Sequence, residues 1–440
     1  MSRYSELESG QLASLLDELM EEYRAAKERK LNLNMSRGVP EKAQLDLSTR
    51  LLTAINAASS LSAEDGMDCR NYGALDGIPE ARRLMAQMLE LEPEQVFVGG
   101  NASLSLMHDC LTFAFLHGLP ESPKPWAKEE KIKFICPVPG YDRHFAMTEH
   151  FGCELIAVPM TLEGPDIGAV TEAVKDPAVK GIWCVPKYSN PQGITYSDAV
   201  VRALAALSPA APDFRIFWDN AYTVHALDMD HQDSLLNIMT ALEKLGKQDR
   251  VFMFTSTSKV TFPGAGISAV GMSKANLDWF KGHKFYQTIG NDKINQLRHA
   301  RFLPDMDSVM NHMRKHADIV RPKFQAVLDA LAPLGEEGIA QWDVPRGGYF
   351  ISLNVMPGCA KRVIQLCREA GVTLTPAGST HPYGIDPEDK NIRIAPTSPP
   401  IEELHQAADL LCLCVRIASA EKLGGAAALA PAQVAYGDRN

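Results

Sequence analysis

Between about residues 80 and 275, short apolar runs alternate with stretches of helical periodicity, and this alternation constrains the fold most. Val96–Val98, Ile132–Ile135, Leu155–Val158, Gly181–Val185, Arg215–Trp218, Val251–Phe254 and Ile267–Gly271 read as strands. Continuously apolar runs belong to strands covered on both faces, and the helical segments between them supply the crossovers that parallel strands need. The expectation is an α/β fold built on a mostly parallel seven-stranded sheet. A chain of 440 residues exceeds one simple core, so a second, smaller unit is expected beside it.

After about residue 310 the texture changes to a long polar helix, then Gly347–Leu353, a further helix, an extended Val372-Thr373-Leu374, Ile392-Arg393-Ile394 and a final helix. This reads as an α+β unit. Leu7, Leu12, Leu15, Leu16, Leu19, Met20 and Tyr23 recur at helical spacing near the start. The expected division is an arm and helix over 1–50 packing on the small domain, a large domain over 51–310, the small domain over 311–423, and an Ala/Gly/Pro-rich disordered tail over 424–440.

A net charge of −10, with no Lys/Arg-rich block, argues against nucleic acid as a partner. No run of about 18 apolar residues occurs, so no membrane span is expected. The start of the chain carries neither a secretory nor a transit pattern, which reads as cytoplasmic. Nine scattered cysteines without CxxC spacing read as free thiols in a reducing compartment, with no metal site.

Lys259 follows the apolar run Val251–Phe254 among several hydroxyls, which places an amine at the carboxyl end of a core strand. Open α/β sheets carry their chemistry there, and a desolvated lysine has a depressed pKa and forms Schiff bases with carbonyls. Asp219 closes another strand, where an acid needs a partner; it is either a structural cap or salt bridge, or a carboxylate facing a ligand. Tyr222 follows three residues later. Asn190-Pro191-Gln192-Gly193 is either a plain turn or a loop presenting Asn190. Gly99-Gly100-Asn101-Ala102-Ser103 stands between a strand and a helix, where free amides and the helix dipole attract anions, but lacks a P-loop ending.

Together these motifs resemble the fold-type I pyridoxal phosphate enzymes, in particular the class I/II aminotransferases, from about residue 30 to 420. The resemblance implies that Lys259 forms the Schiff base with pyridoxal 5'-phosphate and then shuttles a proton. It implies Asp219 at the pyridine nitrogen, Asn190 and Tyr222 at the ring hydroxyl, and Tyr141 stacked on the ring. Ala102, Ser103 and Ser256 fall where the family binds phosphate, and Tyr72 matches a tyrosine that reaches the neighbouring subunit's phosphate, implying a homodimer with shared sites. Arg393, in Asn391–Ala395, matches the arginine that clamps the substrate α-carboxylate; otherwise it is an ordinary edge-strand arginine. Gly38 resembles a substrate-contacting glycine.

One departure stands out. Many relatives carry an arginine for the phosphate where this chain has Gly266, which is similar to a divergent branch of bacterial aspartate aminotransferases. Aspartate specificity needs a second cation, because a buried unpaired carboxylate is prohibitive. Arg37 is the first candidate, with Lys293 and Arg298 behind it. The leading expectation is ping-pong amino transfer from aspartate to 2-oxoglutarate. The alternatives are a lyase or decarboxylase using the same cofactor, or an aminotransferase for another donor. A transcription regulator would need a DNA-binding domain, for which the residues before the arm leave no room.

Overall fold

The computed structural model describes residues 4–428. Its strands, in chain order, are β1 (Leu33–Asn34), β2 (Val96–Val98), β3 (Lys133–Val138), β4 (Glu154–Thr161), β5 (Gly164–Pro165), β6 (Val179–Cys184) and β7 (Arg215–Asp219). They continue with β8 (Val251–Ser256), β9 (Ser268–Gly271), β10 (Ala340–Trp342), β11 (Ile351–Val355), β12 (Val372–Thr373) and β13 (Asn391–Ile394).

The large sheet runs β2-β9-β8-β7-β6-β3-β4-β5. Strands β4, β3, β6, β7 and β8 are mutually parallel. Strand β9 is antiparallel to both β8 and β2, so β2 points the same way as the parallel set. All seven expected strands are present. The eighth, β5, is a two-residue antiparallel addition to the edge at β4, too short to leave a periodic signal.

Side chains of the sheet alternate between two cores. Ile216 and Trp218 of β7 join Val251 and Met253 of β8 in one. Phe217, Phe252 and Phe254 join Phe97 and Phe134 in the other. Both faces are therefore apolar, which is why these segments show no polar alternation. Because the parallel strands share a direction, their carboxyl ends line one edge of the sheet, where the loops converge.

A third core holds β10, β11 and β13 together with the helix Met306–Glu336 and the final helix Ile401–Ala428. The helix Ser9–Glu28 buries Leu19 and Tyr23 in the same core, and β1 pairs in parallel with β12. The segment read as a tail from residue 424 continues the last helix to Ala428, in keeping with its alanine content. The rest of that reading lies outside the described residues. All nine cysteines are free and buried. Among the described residues no helix is long and apolar enough to cross a membrane.

Candidate active site

The converging strand ends enclose a cavity of about 550 Å³. Tyr141 enters it after β3, Asn190 after β6, Asp219 at the last position of β7, Tyr222 just beyond, and Ser256 and Lys259 from the end of β8. Ala102 and Ser103 come from the start of the helix Ser103–His117, Arg37 and Gly38 from the arm, and Arg393 from β13. A Cβ at Gly38 would press on the edge of the Phe350 ring, so the arm comes this close only as a glycine or with a shift of that ring. Tyr72 does not line the cavity; it is 79% exposed on the surface.

Lys259 is partly buried, with Nζ 4.8 Å from the centre of the Tyr222 ring and 5.8 Å from that of Tyr349. Burial lowers its pKa below the usual lysine value, and the negative charge of Asp219 opposes that shift. An amine so placed is closer to its neutral, nucleophilic form than a surface lysine. Burial also pushes the Tyr222 hydroxyl well up and that of Tyr141 up to about 12, so both remain protonated donors at neutral pH.

Asp219 is 3% exposed. Its Oδ2 lies 3.0 Å from His144 Nε2, while Oδ1 is buried without a hydrogen-bond partner. A carboxylate only accepts, so Nε2 carries the proton of this bond. His144 is itself held flat against Trp183, with ring centres 4.3 Å apart and planes 12° from parallel. His144 carried no motif signal of its own, though it follows Tyr141 by three residues at the start of the helix Asp142–His150.

The loop ends at the start of Ser103–His117 are tied together. Ser256 Oγ bonds Ser258 Oγ at 3.1 Å, and Ser258 Oγ donates to the Asn101 carbonyl at 2.9 Å. Asn101 Nδ2 donates to Pro263 O, and Asn295 Nδ2 to Gly266 O. Gly266 is buried in this knot, and a Cβ there would sit 3.0 Å from Thr257 Oγ1 and 3.2 Å from Phe262 O. The Thr257 hydroxyl is already engaged by the Ile267 amide. Position 266 thus has no room for a larger side chain without a shift of its neighbours.

Arg393 is 7% exposed and stacks on Phe350, its guanidinium carbon 4.9 Å from the ring centre. Nη1 donates to Asp142 Oδ1 at 2.8 Å and to Asn190 Oδ1 at 3.4 Å, and Nε is buried without a partner. Arg37 and Arg143 also line the cavity, and both are exposed. Lys293 is buried elsewhere and Arg298 bonds Asn295; neither lines this cavity. Asp142 and Arg143 carried no motif signal beyond their position next to Tyr141.

Behind Lys259 runs a chain of buried histidines. Gln44 Nε2 contacts the Tyr349 hydroxyl at 3.0 Å and His316 Nδ1 at 3.2 Å; His316 Nε2 lies 3.1 Å from His312 Nε2, which lies 2.8 Å from the Val260 carbonyl. Burial depresses the pKa of His316 to about 3 and that of His225, which packs against Tyr222 and Tyr349, to about 3 as well. These rings are neutral supports for the lysine loop.

The parallel sheet, the lysine beyond one strand and the carboxylate ending the next define the fold of the type I pyridoxal phosphate aminotransferases. The chain belongs to the aspartate amino-transferase family, whose model matches residues 7–427. An aspartate aminotransferase of Corynebacterium glutamicum is 48% identical over 406 residues, covering 92% of this chain and 94% of that protein. The crystal structure of an aspartate transaminase from C. glutamicum superposes with a TM-score of 0.92 at 46% identity, covering 94% of this chain and 98% of that one. A 2-aminoadipate transaminase of Thermus thermophilus matches at 22% identity over 74% of this chain and 77% of its own length. The protein is accordingly an aminotransferase.

Proposed function

We propose that this aminotransferase moves the amino group of aspartate to 2-oxoglutarate in two alternating half-reactions, with pyridoxal 5'-phosphate held in the 550 Å³ cavity. The observation that carries the cofactor assignment is the unpartnered, buried Oδ1 of Asp219 at the cavity wall, within the field of the Lys259 amine. Such an atom costs free energy unless a donor meets it, and a protonated pyridine nitrogen is that donor. The N-terminal end of Ser103–His117, with Ser256 and Ser258, fits a phosphate group without an arginine at 266.

When bound, pyridoxal phosphate supplies an electron sink for the carbanion left when a substrate Cα loses its proton. The chain's own residues do the rest. Asp219 holds the ring nitrogen protonated, kept in place by His144. Tyr222 and Asn190 bind the ring hydroxyl, Tyr141 covers the ring face, and Ala102, Ser103 and Ser256 bind phosphate. Tyr72 serves the neighbouring subunit's phosphate in a homodimer, a reading supported by the exposed Tyr72, Phe285, Tyr286 and Ile289. Arg393 and Gly38 receive the α-carboxylate end of the substrate, and Lys259, with its lowered pKa, takes the Cα proton at Nζ and returns it.

For the distal carboxylate the geometry favours Arg37, joined by Arg143, since both line the cavity. The aspartate assignment is further supported by the C. glutamicum relative. The test is a half-reaction without acceptor: loaded protein given aspartate should release one equivalent of oxaloacetate per site, and 2-oxoglutarate should restore the starting absorbance. Release of CO2 or ammonia instead would mark the lyase reaction. Faster turnover with 2-aminoadipate or an apolar donor would replace aspartate as the substrate.

A further inference from the structure

The Arg393 guanidinium already carries a carboxylate from its own chain. Asp142 Oδ1 stands 2.8 Å from Nη1, and this ion pair joins the small-domain strand β13 to the first turn of Asp142–His150. The Asp142 side chain is 35% exposed, in contrast to 7% for Arg393. As the first residue of the helix Asp142–His150 it also lies in the favourable field of the helix N-terminus. The guanidinium for its part has other supports, namely Asn190 Oδ1 and the Phe350 ring.

We propose that Asp142 tunes the affinity of the site: it is an internal carboxylate that occupies the Nη1 corner of Arg393 and weakens the hold of the site on substrate carboxylates. The proposal rests on the reading of Arg393 as the α-carboxylate clamp. With Nη1 taken, the incoming carboxylate is left the Nε–Nη2 edge, whose Nε is unpartnered. Two carboxylates then share one guanidinium and repel each other. A like charge at about 5 Å, partly screened, raises the dissociation constant of the second anion by roughly ten-fold. The benefit is turnover, because the product oxo acid carries the same α-carboxylate and leaves faster from a partly neutralised clamp.

The test uses the loaded protein and succinate, a dicarboxylate with no amino group to react. Asp142→Asn keeps the shape and the acceptor oxygen but removes the charge. Calorimetry should show succinate binding about ten-fold tighter to Asp142→Asn than to the unsubstituted protein, and KM for aspartate should fall while kcat does not rise. Unchanged or weaker succinate binding overturns the proposal and leaves Asp142 as a structural support. Arg393→Lys tests the clamp itself. If it leaves succinate binding unaltered, the clamp reading fails and takes this proposal with it. If it weakens binding while Asp142→Asn does not strengthen it, only the role of Asp142 is lost.

Discussion

His144 Nε2 and Asp219 Oδ2 are 3.0 Å apart in the buried floor of the cavity, and this bond determines which carboxylate oxygen is left for a ligand. Asp219→Asn should retain the fold and lower kcat by about 10³-fold, because a neutral amide no longer favours a protonated ring nitrogen. His144→Asn acts only through Asp219 and should cost roughly ten-fold. Steady-state rates of both variants check the order; equal losses would place His144 in direct contact with the reaction.

Lys259→Arg keeps a cation but removes an amine that can lose its proton. Amino transfer should fall by at least about 10⁴-fold, and the visible band of the loaded protein should no longer form on adding cofactor. A variant that keeps a tenth of the activity would assign the proton transfer to another group.

Arg37→Ala and Arg143→Ala separate the two cavity arginines. The one that meets the distal carboxylate should lose about 10²-fold in kcat/KM for aspartate and glutamate, but less than about three-fold for alanine. Equal losses on all three donors would exclude that residue from the role.

The buried histidines make stability depend on pH with a definite sign. Burial depresses His225 and His316 to about 3, and His299, buried between the Thr261 hydroxyl and the Asn295 carbonyl, to about 4, whereas in the unfolded chain a histidine titrates near 6.5. The unfolded state therefore binds more protons between those values, so stability from these groups is complete above about pH 7 and is lost as pH falls below 6.5. At pH 5.5 each costs on the order of 1 kcal/mol, and the three together a few kcal/mol. Denaturant titrations at pH 7.5 and 5.5 should show the drop, and a smaller one for His299→Gln.

If Tyr72 serves a neighbouring site, sedimentation should give a dimer, and Tyr72→Ala should leave that dimer intact while loosening its cofactor by about ten-fold. A fully active monomer at nanomolar concentration would remove the role.

The sheet was legible because its strands are buried on both faces: Phe217 and Trp218 serve opposite cores, so neither interrupts the apolar run. The strands that carried no signal, β1, β5 and β10, have only two or three residues; β1 owes its form to a partner far away in sequence, while β5 folds straight back on the end of β4. Lys259, Asp219, Asn190 and Arg393 could be singled out because each sits in a local motif at a strand or turn. His144, Asp142 and Arg143 could not, since their places depend on how the helix Asp142–His150 docks between Asp219 and Arg393. Lys293 and Arg298 illustrate the converse: a plausible charge in the sequence says nothing about which cavity it meets.

The crowding at Gly266 bears on how this branch can change in future. An arginine introduced there by a single substitution would press on the Thr257 hydroxyl and the Phe262 carbonyl before it could reach any anion. Placing a charge at 266 therefore calls for Thr257 and Phe262 to give way by a few tenths of an ångström. The position works as a spacer: while it stays a glycine, the loop can close on the Thr257 hydroxyl and the Asn295 amide.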